Sequence, residues 1–115
     1  MTAFRILLIA LLVNIIVYTA IVIGNHGANL APDFIGDIVA FGWPGQFNVD
    51  FLSFLVLSAL WVAWRHNFSP AGLVLAVPAL FGGMMFLAPY LLITSFATQG
   101  DMRVLLLGSA RAEAH

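Results

Sequence analysis

The sequence predicts an all-α integral membrane protein with three transmembrane helices and a short interfacial helix in the first loop. Three observations predict it. Hydrophobic residues make up 63% of the 115 residues and charged residues only 8%, whereas a soluble domain carries about 25% charged residues. Three apolar runs divide the chain, each bounded by polar or turn-forming residues. Between the first two runs, a short segment repeats its large apolar residues at helical spacing. So few charges leave a soluble fold with too little polar cover, and a lipid bilayer is the expected partner of the apolar surface. The length suits one membrane domain over 1–115.

The first run, Ile6–Ile23, has only Asn14, Tyr18 and Thr19 as polar interruptions. A bilayer core needs about 20 apolar residues of helix, so the first transmembrane helix is placed at 4–23. Arg5 precedes the run and Gly24-Asn25-His26-Gly27 closes it. The run exceeds the roughly 7–15 apolar residues of a signal peptide, and a retained helix is expected. In the loop over 24–47, Phe34, Ile38 and Phe41 recur at helical spacing beside Asp33 and Asp37. The segment Pro32–Phe41 is therefore expected to be a surface helix with these three residues toward the membrane. Trp43-Pro44-Gly45 follows as a turn, with its tryptophan at headgroup level.

The second run, Phe51–Trp64, ends at Arg65-His66-Asn67. It is short by itself, and a helix over 48–65 gives it spanning length. The third, Ala71–Ala97, follows Ser69 as a cap and Pro70 in the first turn. At 1.5 Å per residue it would reach about 40 Å, so a helix over 70–98 is expected to tilt, to kink, or to stand clear of the bilayer at one end. Pro78 and Pro89 lie inside it, where a membrane helix tolerates them as kinks. Gln99-Gly100-Asp101 ends the helix. The tail over 99–115 opens with Val104-Leu105-Leu106-Leu107, a patch too short to span and suited to the interface.

There is no lysine, and Arg5, Arg65, Arg103 and Arg111 are spread along the chain. Nucleic-acid binding needs clustered cations, so no nucleic-acid partner is expected. No cysteine is present, which excludes disulfides and thiol chemistry. Three crossings would put Arg5 and Arg65 on one side and Arg103 and Arg111 on the other. The arginine-free first loop then favours a cytoplasmic N-terminus and an external C-terminus.

In that topology one layer gathers polar side chains from all three helices: Tyr18, Asp50, Ser53, Tyr90, Thr94 and Ser95, with Trp43, Asp33 and Asp37 in the loop above. Tyr18, Asp50, Ser53, Tyr90 and Thr94 are the candidate ligand-binding residues. A carboxylate in a membrane is costly unless paired, hydrated or useful, which singles out Asp50. Its structural reading is a helix cap, because a helix N-terminus offers free N–H groups to an aspartate. Asn14 sits mid-bilayer, where it can hydrogen-bond across to another helix or bind a polar ligand group. Gly72, Ala76, Ala79 and Gly83 form one stripe of small residues suited to close helix packing. Gly82-Gly83 also leaves room for a pocket.

His26 and His66 flank opposite membrane faces in this topology, and His115 is terminal. Met84-Met85 lacks histidine support, so no metal site is expected. No hydrolase, metalloprotease or phosphate-loop motif occurs. Asp50 with Asp33 or Asp37 is the one conceivable acid–base set, and no catalytic residue is assigned.

One pattern is similar to a known family. Phe47-Asn48-Val49-Asp50 opens a helix that closes with Trp61-Val62-Ala63-Trp64-Arg65. An apolar helix with Pro89-Tyr90-Leu91-Leu92 follows, then Gly100-Asp101 and Leu105-Leu106-Leu107-Gly108. This resembles small bacterial three-helix membrane proteins known only as a domain of unknown function. The resemblance covers roughly the last two-thirds of the chain, with Asp50 and Trp64-Arg65 as its most specific positions. Pro78 and the long loop before Phe47 depart from it. It implies the helix count and a bacterial inner-membrane setting, and no activity.

Two functions are therefore expected in competition. One is a non-enzymatic accessory or structural subunit of a larger membrane complex, with other subunits as partners. The alternative is a binder or carrier of a hydrophobic ligand: a lipid, a quinone or a carotenoid pigment. A membrane enzyme is the weakest of the readings.

Overall fold

The computed structural model describes residues 1–114; His115 lies outside the described residues. Seven helices follow in order: α1 Thr2–His26, α2 Ala31–Val39, α3 Trp43–Arg65, α4 Pro70–Gly82, α5 Met84–Ala97, α6 Met102–Leu107 and α7 Ser109–Ala114. No strand occurs among the described residues. Two helices, α1 and α3, are long and apolar enough to cross a membrane. Their 25 and 23 residues give lengths of about 37 and 35 Å. Only 6% of the apolar window of α1 and 17% of that of α3 is buried within the fold. A soluble protein's core helix would be mostly covered, and these are not.

The third apolar run differs from the single helix expected over 70–98. It breaks at Gly83 into α4 and α5, of 13 and 14 residues, each about 20 Å long. Gly83 adopts φ 54° and ψ −134°, a region open only to glycine. A Cβ there would meet the Phe51 ring at 2.8 Å. Pro78 and Pro89 stay inside their helices, so glycine and not proline interrupts the run.

The chain reverses at this break. Ser69 accepts from the Gly72 N–H to start α4, and Gly72 lies against His66 at the end of α3. At the far end of α5, Ala97 and Thr98 line one recess with Arg65, His66 and Asn67. Thus α4 and α5 form a hairpin whose two open ends lie beside the C-terminus of α3. Its tip rests midway along α3, on Phe51 and Leu55. α4 packs along α3, with Gly72 and Ala79 buried, while α5 packs along α1.

This reversal overturns the expectation that the two termini lie at opposite ends. Met1 lies against Gly100, and Arg5 is bound to Ser95. Arg5, Arg65, Arg103 and Arg111 thereby gather at one end. Asp33, Asp37 and Asp50 lie toward the other, where α2 meets the start of α3.

The surface helix exists, as α2, but its face differs from expectation. Phe34 and Ile38 turn toward α3, and Phe41 alone stands free at 93% exposure. The Phe34 carbonyl accepts from Asn48 Nδ2 at 3.1 Å. Buried Gly45 lets the backbone of Asp37 and Ile38 come into contact with α3. α3 itself starts at Trp43, capped by extended Gly42, so Trp43-Pro44-Gly45 is the first helical turn and not a separate loop.

Replacing Gly83 by alanine should lower stability by about 1–3 kcal/mol, through backbone strain. Gly36→Ala, in open space within α2, should be neutral or slightly stabilising. Thermal unfolding in mild detergent measures both, and a Gly83→Ala protein as stable as the parent would contradict the turn described here.

Candidate functional site

The hairpin assembles a polar cluster at the C-terminal end of α3. Tyr90, midway along α5, points its hydroxyl at His66, with Oη and Nε2 2.7 Å apart. Phe86 stacks on the Tyr90 ring at 5.4 Å and 18°. Trp61 meets it edge-on at 6.0 Å and 87°. One turn of helix separates Phe86 from Tyr90, and another separates Trp61 from Arg65, so each pair shares a helix face. Arg65 Nη1 approaches the Tyr90 oxygen at 3.4 Å and His66 Nε2 at 3.5 Å. With both a guanidinium and a phenol facing it, His66 Nε2 is the acceptor, and the ring proton sits on Nδ1.

The same end of α3 holds the tail. A six-residue helix such as α6 leaves its last carbonyls without helical partners. Arg65 Nε donates to the Leu105 carbonyl at 2.5 Å and Nη2 to that of Val104 at 3.3 Å. Trp61 Nε1 donates to the Leu106 carbonyl at 3.1 Å. Arg65 is thus a cation at a helix C-terminus, where the backbone dipole favours it. Arg111 of α7 donates to the Trp64 carbonyl and lies 4.1 Å over the Trp64 ring. Asp101 accepts from the N–H groups of Arg103 and Val104 to start α6.

A parallel clamp fixes α1. Arg5 Nε donates to Ser95 Oγ at 2.9 Å and Nη2 to the Ser95 carbonyl at 3.0 Å. Its guanidinium lies 3.9 Å over the Phe96 ring. Ser95 is fully buried.

The polar layer expected from the sequence does not form. Tyr90 and Thr94 sit on the returning helix at the arginine end, where Thr94 Oγ1 donates to the Tyr90 carbonyl at 2.6 Å. Asp50 and Ser53 lie in the opposite half of α3. Ser53 Oγ donates to its own helix at Val49, at 2.9 Å. Tyr18 is 67% exposed on the distal half of α1. Asp50 is also exposed and lines a shallow cleft with Ile38, Gly42 and Gln46. It lies two turns inside α3, which rules out the capping role. Asn14 is exposed, and its side chain makes no hydrogen bond among the described residues.

Two apolar clefts flank the cluster and the hairpin tip. One, of about 490 Å³, lies between α1, α3, α5 and α6, lined by Phe4, Phe54, Trp61, Leu87, Leu91 and Leu105. Ser58, whose hydroxyl is buried without a partner, lines it too. The other, of about 430 Å³, lies between α2, α3 and the end of α4, around Phe34, Phe51, Leu55 and Phe81. No group of three metal-ligating side chains comes together among the described residues.

No protein-family model matches the chain. No curated protein and no solved structure matches it either.

Burial first, and the Arg65 guanidinium second, hold the His66 pKa below its ordinary 6.5. The unfolded chain therefore binds a proton at His66 before the folded one does. This contribution to stability is complete above about pH 6.5 and is lost as pH falls through the lower folded value. Unfolding midpoints in detergent should fall between pH 7.5 and pH 5, and His66→Gln should flatten that slope. An unchanged slope in the variant would contradict the assignment.

Proposed function

We propose that the chain is a non-enzymatic accessory subunit of a larger membrane assembly, held in the bilayer by α1 and α3. In this reading the α4–α5 hairpin enters the bilayer from the arginine end and returns without crossing. The observation that carries the proposal is Asn14. It sits midway along α1, the more apolar of the two long helices, on an exposed face, with its carboxamide unpaired among the described residues. A polar amide in hydrocarbon seeks a hydrogen-bonding partner, and the chain's own helices supply none. A helix of another subunit would satisfy it.

Charge supports an orientation. Four arginines face Asp101 and Glu113 at one end, and three aspartates meet no arginine at the other. The positive-inside rule assigns the arginine end, with both termini, to the cytoplasm. Bacterial inner membrane is the setting that the family resemblance implies. A second reading has its own observation: the unpaired Ser58 hydroxyl, facing an apolar cleft, suits a hydrophobic ligand with one polar group, such as a lipid, a quinone or a carotenoid.

Asn14→Leu should weaken assembly by about three- to eighteen-fold, the range of a membrane hydrogen bond worth about 0.6–1.7 kcal/mol. Blue-native gels of native membranes measure this, and free monomer for the parent protein would overturn the proposal. Cysteines at Thr2 and Ser109 should label from the cytoplasmic side, and one at Asn25 from the other. Labelling of Ser109 and Asn25 from one side would refute the hairpin's return.

A further inference from the structure

The clefts differ in chemistry, and the recess at the mouth of the hairpin is polar. It has a volume of about 360 Å³. Arg65, His66 and Asn67 form one wall, Thr98 a second, and Gly108, Ser109 and Ala110 a third. Among the described residues no carboxylate lines it. The Arg65 guanidinium meets carbonyls, a phenol and an imidazole, so only partial charges answer its full one. One of its five N–H donors, on Nη2, remains for another acceptor. Asn67 and Ser109 are exposed, so the recess opens at the surface. Its depth is defined as well: Arg65 is the last residue of α3, the level at which a spanning helix leaves hydrocarbon for the headgroups.

We propose that this recess binds an anionic phosphate group, with Arg65 and the Asn67 and Ser109 side chains as its donors. A guanidinium whose Nε–Nη2 edge already holds two backbone carbonyls is fixed in orientation before an oxyanion arrives. Its partners leave it fixed beside the cavity, so little side-chain entropy is lost on binding. At this depth the phosphate belongs to a phospholipid headgroup of the same leaflet, and a soluble phosphate is the other source of the same chemistry. The inference shares only its membrane setting with the proposed function and does not use Asn14.

Native mass spectrometry of the full chain, released from nanodiscs of equal phosphatidylglycerol and phosphatidylcholine, tests it. Both lipids carry the phosphate, but the choline cation of phosphatidylcholine meets a guanidinium and no described carboxylate, so phosphatidylglycerol should be retained about tenfold over it, a difference of about 1.4 kcal/mol. Ala110→Asp introduces a carboxylate at the recess without removing any hydrogen bond, and should abolish the preference at an unchanged unfolding temperature. Arg65→Lys keeps the charge and should keep part of it. Inorganic phosphate at millimolar concentration should displace little lipid if the headgroup is the ligand; full displacement would assign the recess to soluble phosphate. Equal retention of the two lipids, or a preference untouched by Ala110→Asp, overturns the proposal. A free monomer that still prefers phosphatidylglycerol would sink the subunit reading and leave this one standing.

Discussion

The fold depends on one backbone reversal, at Gly83. Its φ of 54° and ψ of −134° are available only without a Cβ, and the Phe51 ring occupies the space a side chain would need. Apart from the Asn48–Phe34 hydrogen bond, every side-chain hydrogen bond between distant segments has one partner downstream of that turn. Without it, Tyr90 would move away from His66, Ser95 from Arg5, and the α6 carbonyls from Arg65. Each of these hydrogen bonds is individually worth about 1 kcal/mol. Together they hold the first residues of the chain, the middle and the tail at one end of a body 48 Å long.

Arginine does this joining without a carboxylate partner among the described residues. Arg5 and Arg65 spend their donors on backbone carbonyls and hydroxyls, and Arg5 and Arg111 lie over aromatic rings. A planar guanidinium can do both at once, which a lysine ammonium cannot. That is a physical reason for a chain with four arginines and no lysine. The acids are used otherwise: Asp101 starts a helix, and the three in the first half stand at the opposite end.

The helices themselves were legible from apolar runs and their bounding residues. α1, the body of α3, α2 and the Ser69 cap follow from local pattern. The hairpin was not legible, because its signals were ambiguous. A run of apolar residues too long for one crossing fits a tilted helix as well as two half-length ones. Gly82-Gly83 reads equally as close packing or as a turn, and Pro78 and Pro89 drew attention to positions that do not break. A single helix over 70–98 puts Tyr90 and Thr94 in one layer with Asp50, whereas the hairpin returns Tyr90 to Arg65 and His66. Asp50 was misread for a smaller reason: Trp43-Pro44 starts the helix two turns earlier than the turn-like sequence suggests. Only side-chain partners far apart in sequence decide such questions.

The clamp between Arg5 and Ser95 has a meaning in time. The two residues are 90 positions apart, and a ribosome adding about 5–20 residues per second makes them about 5–18 seconds apart. Throughout that interval α1 exists without the helix it packs on, and its early arginine has no serine to meet. Biosynthesis of this protein therefore includes a waiting stage in which the first helix lacks its packing partner, and α5 is what recruits it.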